Sequence, residues 1–144
     1  MMERYHTIFH NLAAPRIVGF NVAGKKDDYH LLRFALTSCL LNDGYFSFTD
    51  ADRGYSSVPW FDEYAQKLGK PLDPPQTKPW QDGIYRRRFE NGLVLVNPGG
   101  QARQVEIGNG YAHFKGQQVP TINNGLPVKK VLLAPADGVL LVKR

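Results

Sequence analysis

Between Asp50 and Tyr64 the chain gathers four carboxylates, Asp50, Asp52, Asp62 and Glu63, together with Tyr55, Trp60 and Tyr64. Two carboxylates held in different protonation states can serve as a general acid and a general base. Carboxylates also accept hydrogen bonds from hydroxyl groups, and aromatic rings offer flat apolar faces. That combination suits a sugar, so the four acids stand as candidate catalytic residues and Tyr55, Trp60 and Tyr64 as candidate binding residues. A second use is open to the acids. Loop carboxylates are often simply solvated or placed at a helix start, and Asp62 and Glu63 fit the first turn after Trp60.

Other chemistry is sparse. His6 and His10 lie four apart on an expected helix, a spacing that can hold a metal, but no third ligand lies nearby in the sequence. No metal or cofactor is expected. Gly19, Gly24 and Gly44 lack phosphate-loop spacing, and Ser56-Ser57 lacks the strand–turn–helix setting of a nucleophile. The single cysteine, Cys39, excludes an internal disulfide and sits within an apolar helical pattern, as packing would have it.

The elements that must position these residues follow from pattern. Glu3–Leu12 has apolar residues at helical spacing, Tyr5, Ile8, Phe9 and Leu12. Arg16–Val22 reads as a buried strand. Asp27 and Asp28 suit the start of a helix to Leu41, whose wide apolar face includes Leu32, Ala35, Leu36 and Leu40. Tyr45–Phe48 is a second strand. Helix, strand, helix, strand with short connections is the grammar of a parallel α/β sheet. Two such strands do not make a stable sheet alone, so this half reads as cut from something larger. Lys70–Pro79, with four prolines, reads as an extended connector and domain boundary.

Beyond it the pattern turns to short strands. Asn91-Gly92 signals a type I′ hairpin between Ile84–Phe89 and Leu93–Val96. Arg103–Ile107, Tyr111–Phe114, Val128–Leu133 and Val139–Val142 follow, with turns at Asn123-Asn124-Gly125 and Pro135-Ala136-Asp137-Gly138. This suggests a small antiparallel β-sandwich.

The chain has 144 residues, 42% hydrophobic and 22% charged, ordinary for a folded protein with a real core. The net charge of +5 lies wholly in residues 71–144; residues 1–70 carry eight bases and eight acids. Its one basic cluster, Arg86-Arg87-Arg88, falls on an expected strand whose alternation splits it between two faces. The expectation is a solvated strand and no nucleic-acid partner. No apolar run reaches a membrane span and no signal-peptide core is present, so a soluble chain without a membrane partner is expected.

Three stretches together resemble a known family: Asp43-Gly44-Tyr45-Phe46-Ser47-Phe48; Trp60-Phe61-Asp62-Glu63-Tyr64 with Leu68-Gly69-Lys70-Pro71; and Arg87-Arg88-Phe89-Glu90-Asn91-Gly92-Leu93-Val94-Leu95-Val96-Asn97-Pro98. They look like the tail of the hypothetical glycosyl-hydrolase-like family fifteen, and Pro135–Leu141 is similar to that family's last strand. The resemblance covers roughly residues 15–144. It implies α/β followed by all-β: the last strand–helix units of a (β/α)8 barrel in residues 1–70, a connector at 71–79, and an antiparallel β-sandwich in 80–144. It implies a carbohydrate ligand and glycoside hydrolysis by the complete protein, with this chain inactive alone. A missing N-terminal barrel portion or self-association would then complete it. In a barrel the loop after Tyr45–Phe48 would face the ligand, as would Asn21 at the end of the first strand. The alternative is a non-catalytic carbohydrate-binding or interaction module.

Overall fold

The computed structural model describes residues 2–144, with side chains for Arg4 and from Thr7 onward. Helix α1 spans Met2–Asn11. The side chains of Tyr5 and His6, on which its expected apolar stripe and histidine pair partly rest, lie outside the described residues.

The first half forms strand β1 (Gly19–Gly24), helix α2 (Tyr29–Leu40) and strand β2 (Tyr45–Asp50). Asp28 starts α2 as expected, its carboxylate accepting from the Leu31 amide at 3.0 Å. β1 and β2 pair in parallel, Asn21 opposite Ser47 and Val22 opposite Phe48. Phe48, Leu32 and Phe61 form a small core between this sheet and α2. A 3-10 turn, Asp62–Ala65, follows the loop after β2.

The second half is antiparallel: β3 (Tyr85–Phe89), β4 (Gly92–Asn97), β5 (Arg103–His113), β6 (Pro127–Leu133) and β7 (Asp137–Lys143). They form one five-stranded sheet ordered β3-β4-β7-β5-β6. β5 pairs β7 only at Tyr111–His113, and its ladder to β6 shifts register between Glu106 and Tyr111. Gly108 and Gly110, both at positive φ, turn the strand there. The sheet bends until the end of β6 meets the end of β4. There Asn97 Nδ2 donates to the carbonyls of Ala134 (2.9 Å) and Leu133 (3.3 Å).

This architecture overturns the expected barrel units. The described residues are mostly β with two short α-helices, and parallel pairing among them is confined to β1 and β2. α2 packs more extensively on β7 than on either parallel strand. The apolar face that suggested a helix covering a barrel wall covers an antiparallel sheet instead. The pattern is the same for both, because a helix stripe records only that a sheet lies beneath it. Among the described residues no helix is long and apolar enough to cross a membrane.

β4 is buried along its whole length because both its faces are covered. Val94 and Val96, with Leu140 of β7, pack toward Leu41 and Leu68 of the first half. Leu93 and Leu95, with Val139 and Leu141, pack toward Val105, Val131 and Leu133. The connector lies beside β3: Leu72 N donates to Arg88 O at 2.9 Å, and Gln76 N to Leu41 O at 2.9 Å.

Two buried arginines join these layers. Arg33 of α2 donates to both carboxylate oxygens of Asp137, each at 3.3 Å. Arg87, expected on a solvated strand, is only 2% exposed. Its guanidinium donates to the carbonyls of Asp73 (3.1 Å), Leu40 (3.2 Å) and Asn42 (2.6 Å) and to the Asp43 carboxylate (2.6 Å).

The β3–β4 hairpin exists, but its turn lies one residue early. Phe89 pairs with Gly92, leaving Glu90-Asn91 as the loop, and neither Asn91 nor Gly92 has positive φ. Gly92 is required because a Cβ there would strike the Leu141 carbonyl. The type I′ conformation occurs instead at Asp82-Gly83 (φ 47° and 79°), between Gln81 and Ile84.

α2 sits so close to β7 that a Cβ on Gly138 would overlap the Thr37 hydroxyl, with the Leu95 carbonyl 3.1 Å away. Gly138→Ala should therefore destabilise the protein by about 1–3 kcal/mol through overpacking. Equilibrium urea unfolding reads this directly, and an unchanged midpoint would disprove the tight helix–sheet contact.

Candidate functional site

A groove of about 670 Å³ opens along β2, between α2, the loop after β2 and the stretch following the 3-10 turn. Its floor is apolar and draws on both halves, with Leu36 and Leu40 of α2 beside Phe89 and Leu140. β1 and β2 supply one set of its polar groups. Asn21 Oδ1 accepts from Ser47 Oγ at 2.8 Å and Thr49 Oγ1 at 3.1 Å, and all three residues line the groove. The parallel register places them together, since Asn21 faces Ser47 across the pair.

Of the four carboxylates, the groove takes one. Glu63 lines it and is 5% exposed. Its Oε1 accepts from Asn123 Nδ2 at 3.2 Å, while Oε2 is buried with no hydrogen-bond partner among the described residues. A buried acceptor left unpaired costs roughly 1–3 kcal/mol, more when charged. Asp50 is 2% exposed, and its Oδ1 accepts from Asp52 N at 3.0 Å in the turn that closes onto Gly54. Asp52 is exposed and does not line the groove. Asp62 Oδ2 accepts from the amides of Gln117 (2.6 Å) and Gln118 (2.7 Å). It anchors the 114–126 loop to the 3-10 turn and is occupied by that work.

The aromatic residues divide likewise. Tyr55 and Tyr64 line the groove, and Tyr55 is 90% exposed at its rim. Trp60 is 64% exposed but stands outside the lining, its ring edge-on to Tyr64 at 5.7 Å. Phe61, fully buried, is the residue that pins the segment, with ring contacts to Phe48, Tyr64 and Tyr29 at 5.2, 5.6 and 5.9 Å.

The structure therefore brings Asn21, Tyr55, Glu63 and Tyr64 together, and leaves Asp50, Asp52, Asp62 and Trp60 outside. It adds Ser47 and Thr49, which the alternation of β2 could have indicated as the same face. It also adds Asn123, which no local signal marks. Among the described residues no three His, Cys, Asp or Glu side chains form a metal-holding group.

Residues 18–93 match the family described as hypothetical glycosyl hydrolase family 15, and this chain belongs to that family. The matched segment runs from just before β1 into β4 and includes every groove residue discussed above except Leu140; Asn123, which holds Glu63, also lies beyond it. No curated protein and no solved structure matches the chain.

Burial, with a smaller contribution from the Glu63 charge, pushes the Tyr64 phenol up from 10.0 to about 12. Between those values the unfolded chain loses this proton while the folded one keeps it. Stability contributed at Tyr64 is therefore complete below pH 10 and lost as pH rises toward 12. Tyr64→Phe should flatten this alkaline decline in thermal melts. Glu63→Gln should move the Tyr64 phenolate titration, followed by ultraviolet absorbance, modestly downward. Titration of Tyr64 at the ordinary value would refute its burial.

Proposed function

We propose that the chain is a saccharide-binding part of a glycoside-hydrolase-like protein, that the groove along β2 holds the sugar, and that this chain does not cleave a glycosidic bond unaided. The observation that carries this reading is Glu63, which lines a groove of hydroxyl, amide and aromatic groups and whose buried Oε2 has no hydrogen-bond partner among the described residues. A sugar hydroxyl is a donor of the size and polarity that Oε2 lacks. Asn21, Ser47 and Thr49 supply further donors and acceptors, and Tyr55 supplies a ring face at the rim. Membership of a glycosyl-hydrolase-like family supports the ligand class.

The absence of unaided cleavage rests on carboxylate count. Glycoside hydrolysis ordinarily uses two carboxyl groups, about 5–5.5 Å apart for retention or about 6.5–9.5 Å for inversion. Asp50 and Asp62 hold backbone amides, and among the described residues Glu63 is the groove's one carboxylate. A second carboxylate would come from a partner, whether a further polypeptide segment or another copy of this chain.

Calorimetric titration with a panel of neutral oligosaccharides tests the reading. At least one should bind saturably, and Glu63→Gln should weaken it by about 1.5–3 kcal/mol, the worth of a charged hydrogen bond. Tyr55→Ala should weaken it by about 0.5–1.5 kcal/mol, by analogy with aromatic contacts, with the melting temperature nearly unchanged. The purified chain should release no reducing ends from the same sugars. Failure of the whole panel to bind would sink the proposal, and turnover lost in Glu63→Gln would replace it with catalysis.

A further inference from the structure

A second cleft lies on the far side of β3, apart from the groove. It has a volume of about 380 Å³ and is bounded by the connector from Asp73 through Pro74, Pro75 and Pro79 to Trp80, with Arg86 opposite. The three β3 arginines are placed very differently. Arg87 is buried among four oxygens, and Arg88 is paired with Asp73, Nη2 to Oδ1 at 2.6 Å. Arg86 is half-buried, its guanidinium carbon 4.0 Å from the Trp80 ring centroid, and among the described residues no oxygen accepts from it. Asp73, the one acid in the cleft among the described residues, has both its oxygens engaged by Arg88. Lys78 lines the same cleft and has no ion-pair partner among the described residues.

A guanidinium held over an indole face, with no oxygen among the described residues accepting from it, has N–H groups left to offer, and their fork matches the two oxygens of a carboxylate. The connector's prolines and the Trp80 N to Ile84 O bond at 2.7 Å fix the Trp80 main chain, and its ring packs partly buried against the core cluster of Ile84 and Leu93, so little is left to organise on binding. Burial and the neighbouring Arg88 also hold the Arg86 pKa below its ordinary value, as expected for a charge short of counter-charge.

We infer that this cleft binds a carboxylate, with Arg86 as the bidentate donor and Lys78 as the second cation. The carboxylate can belong to a free organic acid or to a uronic sugar. The inference stands independently of the groove along β2.

The test is a titration of the full chain with sodium glucuronate and sodium acetate at constant ionic strength. It follows the Arg86 Nε–H and Trp80 indole N–H resonances. Both should shift saturably, and the shifts should vanish in Arg86→Gln. Arg86→Lys, which keeps charge but loses the fork, and Lys78→Gln should each weaken binding about tenfold. Equal affinity for both anions assigns recognition to the carboxylate alone; tighter glucuronate assigns a share to the ring, and its neutral methyl ester should then fail to bind. No saturable shift with either anion, shifts that persist in Arg86→Gln, or equal binding of inorganic phosphate would overturn the inference.

Discussion

The buried Arg87 guanidinium is the interaction on which the joining of the two halves depends. An unpaired charge at 2% exposure would be ruinous, and this one is satisfied by three carbonyls and a carboxylate. Two of those carbonyls, Leu40 and Asn42, belong to the end of α2 and the residues just past it, where the helix dipole favours a cation. The third belongs to the connector. One side chain on β3 therefore fixes where α2 stops, where the connector runs and how β3 lies beside both. Removing one side of such a buried arrangement typically costs about 3–5 kcal/mol, because the remaining groups stay buried and unpaired.

The groove inherits its shape from this joining. Leu36 and Leu40 reach it from α2, while Phe89 and Leu140 reach it from the antiparallel sheet. Glu63 is steadied by Asn123 from the loop between β5 and β6, and Asp62 grips the same loop at Gln117 and Gln118. The first half contributes the polar surface, and the second half contributes much of the support. The family match ends in β4 and so omits part of that support.

Local elements were legible in the sequence where local energetics decides them. Asp28 before an apolar stripe gave α2, short apolar segments between turn residues gave most strands, and Cys39 was visible as a packing residue. Misreadings arose where distant groups decide. Asn91-Gly92 looked like a type I′ turn, yet Gly92 answers to a carbonyl on β7. The arginine triplet looked solvated, yet Arg87's acceptors lie 14 to 47 residues away. The barrel reading failed for the same reason, since α2's apolar face did not reveal which sheet it covers. Within the site, Asn21, Tyr55, Glu63 and Tyr64 were legible as types in a loop and strand. The division of labour among the acids was not, because Asp62's amides are 55 and 56 residues away.

The pairing of β2 has one more consequence. Tyr45 N donates to Val18 O and Ala51 N to Gly24 O, so the odd-numbered residues of β2 direct their backbone groups toward β1. Phe46 and Phe48 therefore turn theirs the other way, along the edge where no strand pairs and where both residues line the groove. That edge of β2 thus carries main-chain donors and acceptors repeating every second residue. Side-chain substitution cannot erase them, so an alanine scan along β2 would undercount what the strand can offer a ligand. Its contribution is encoded in strand register rather than in residue identity.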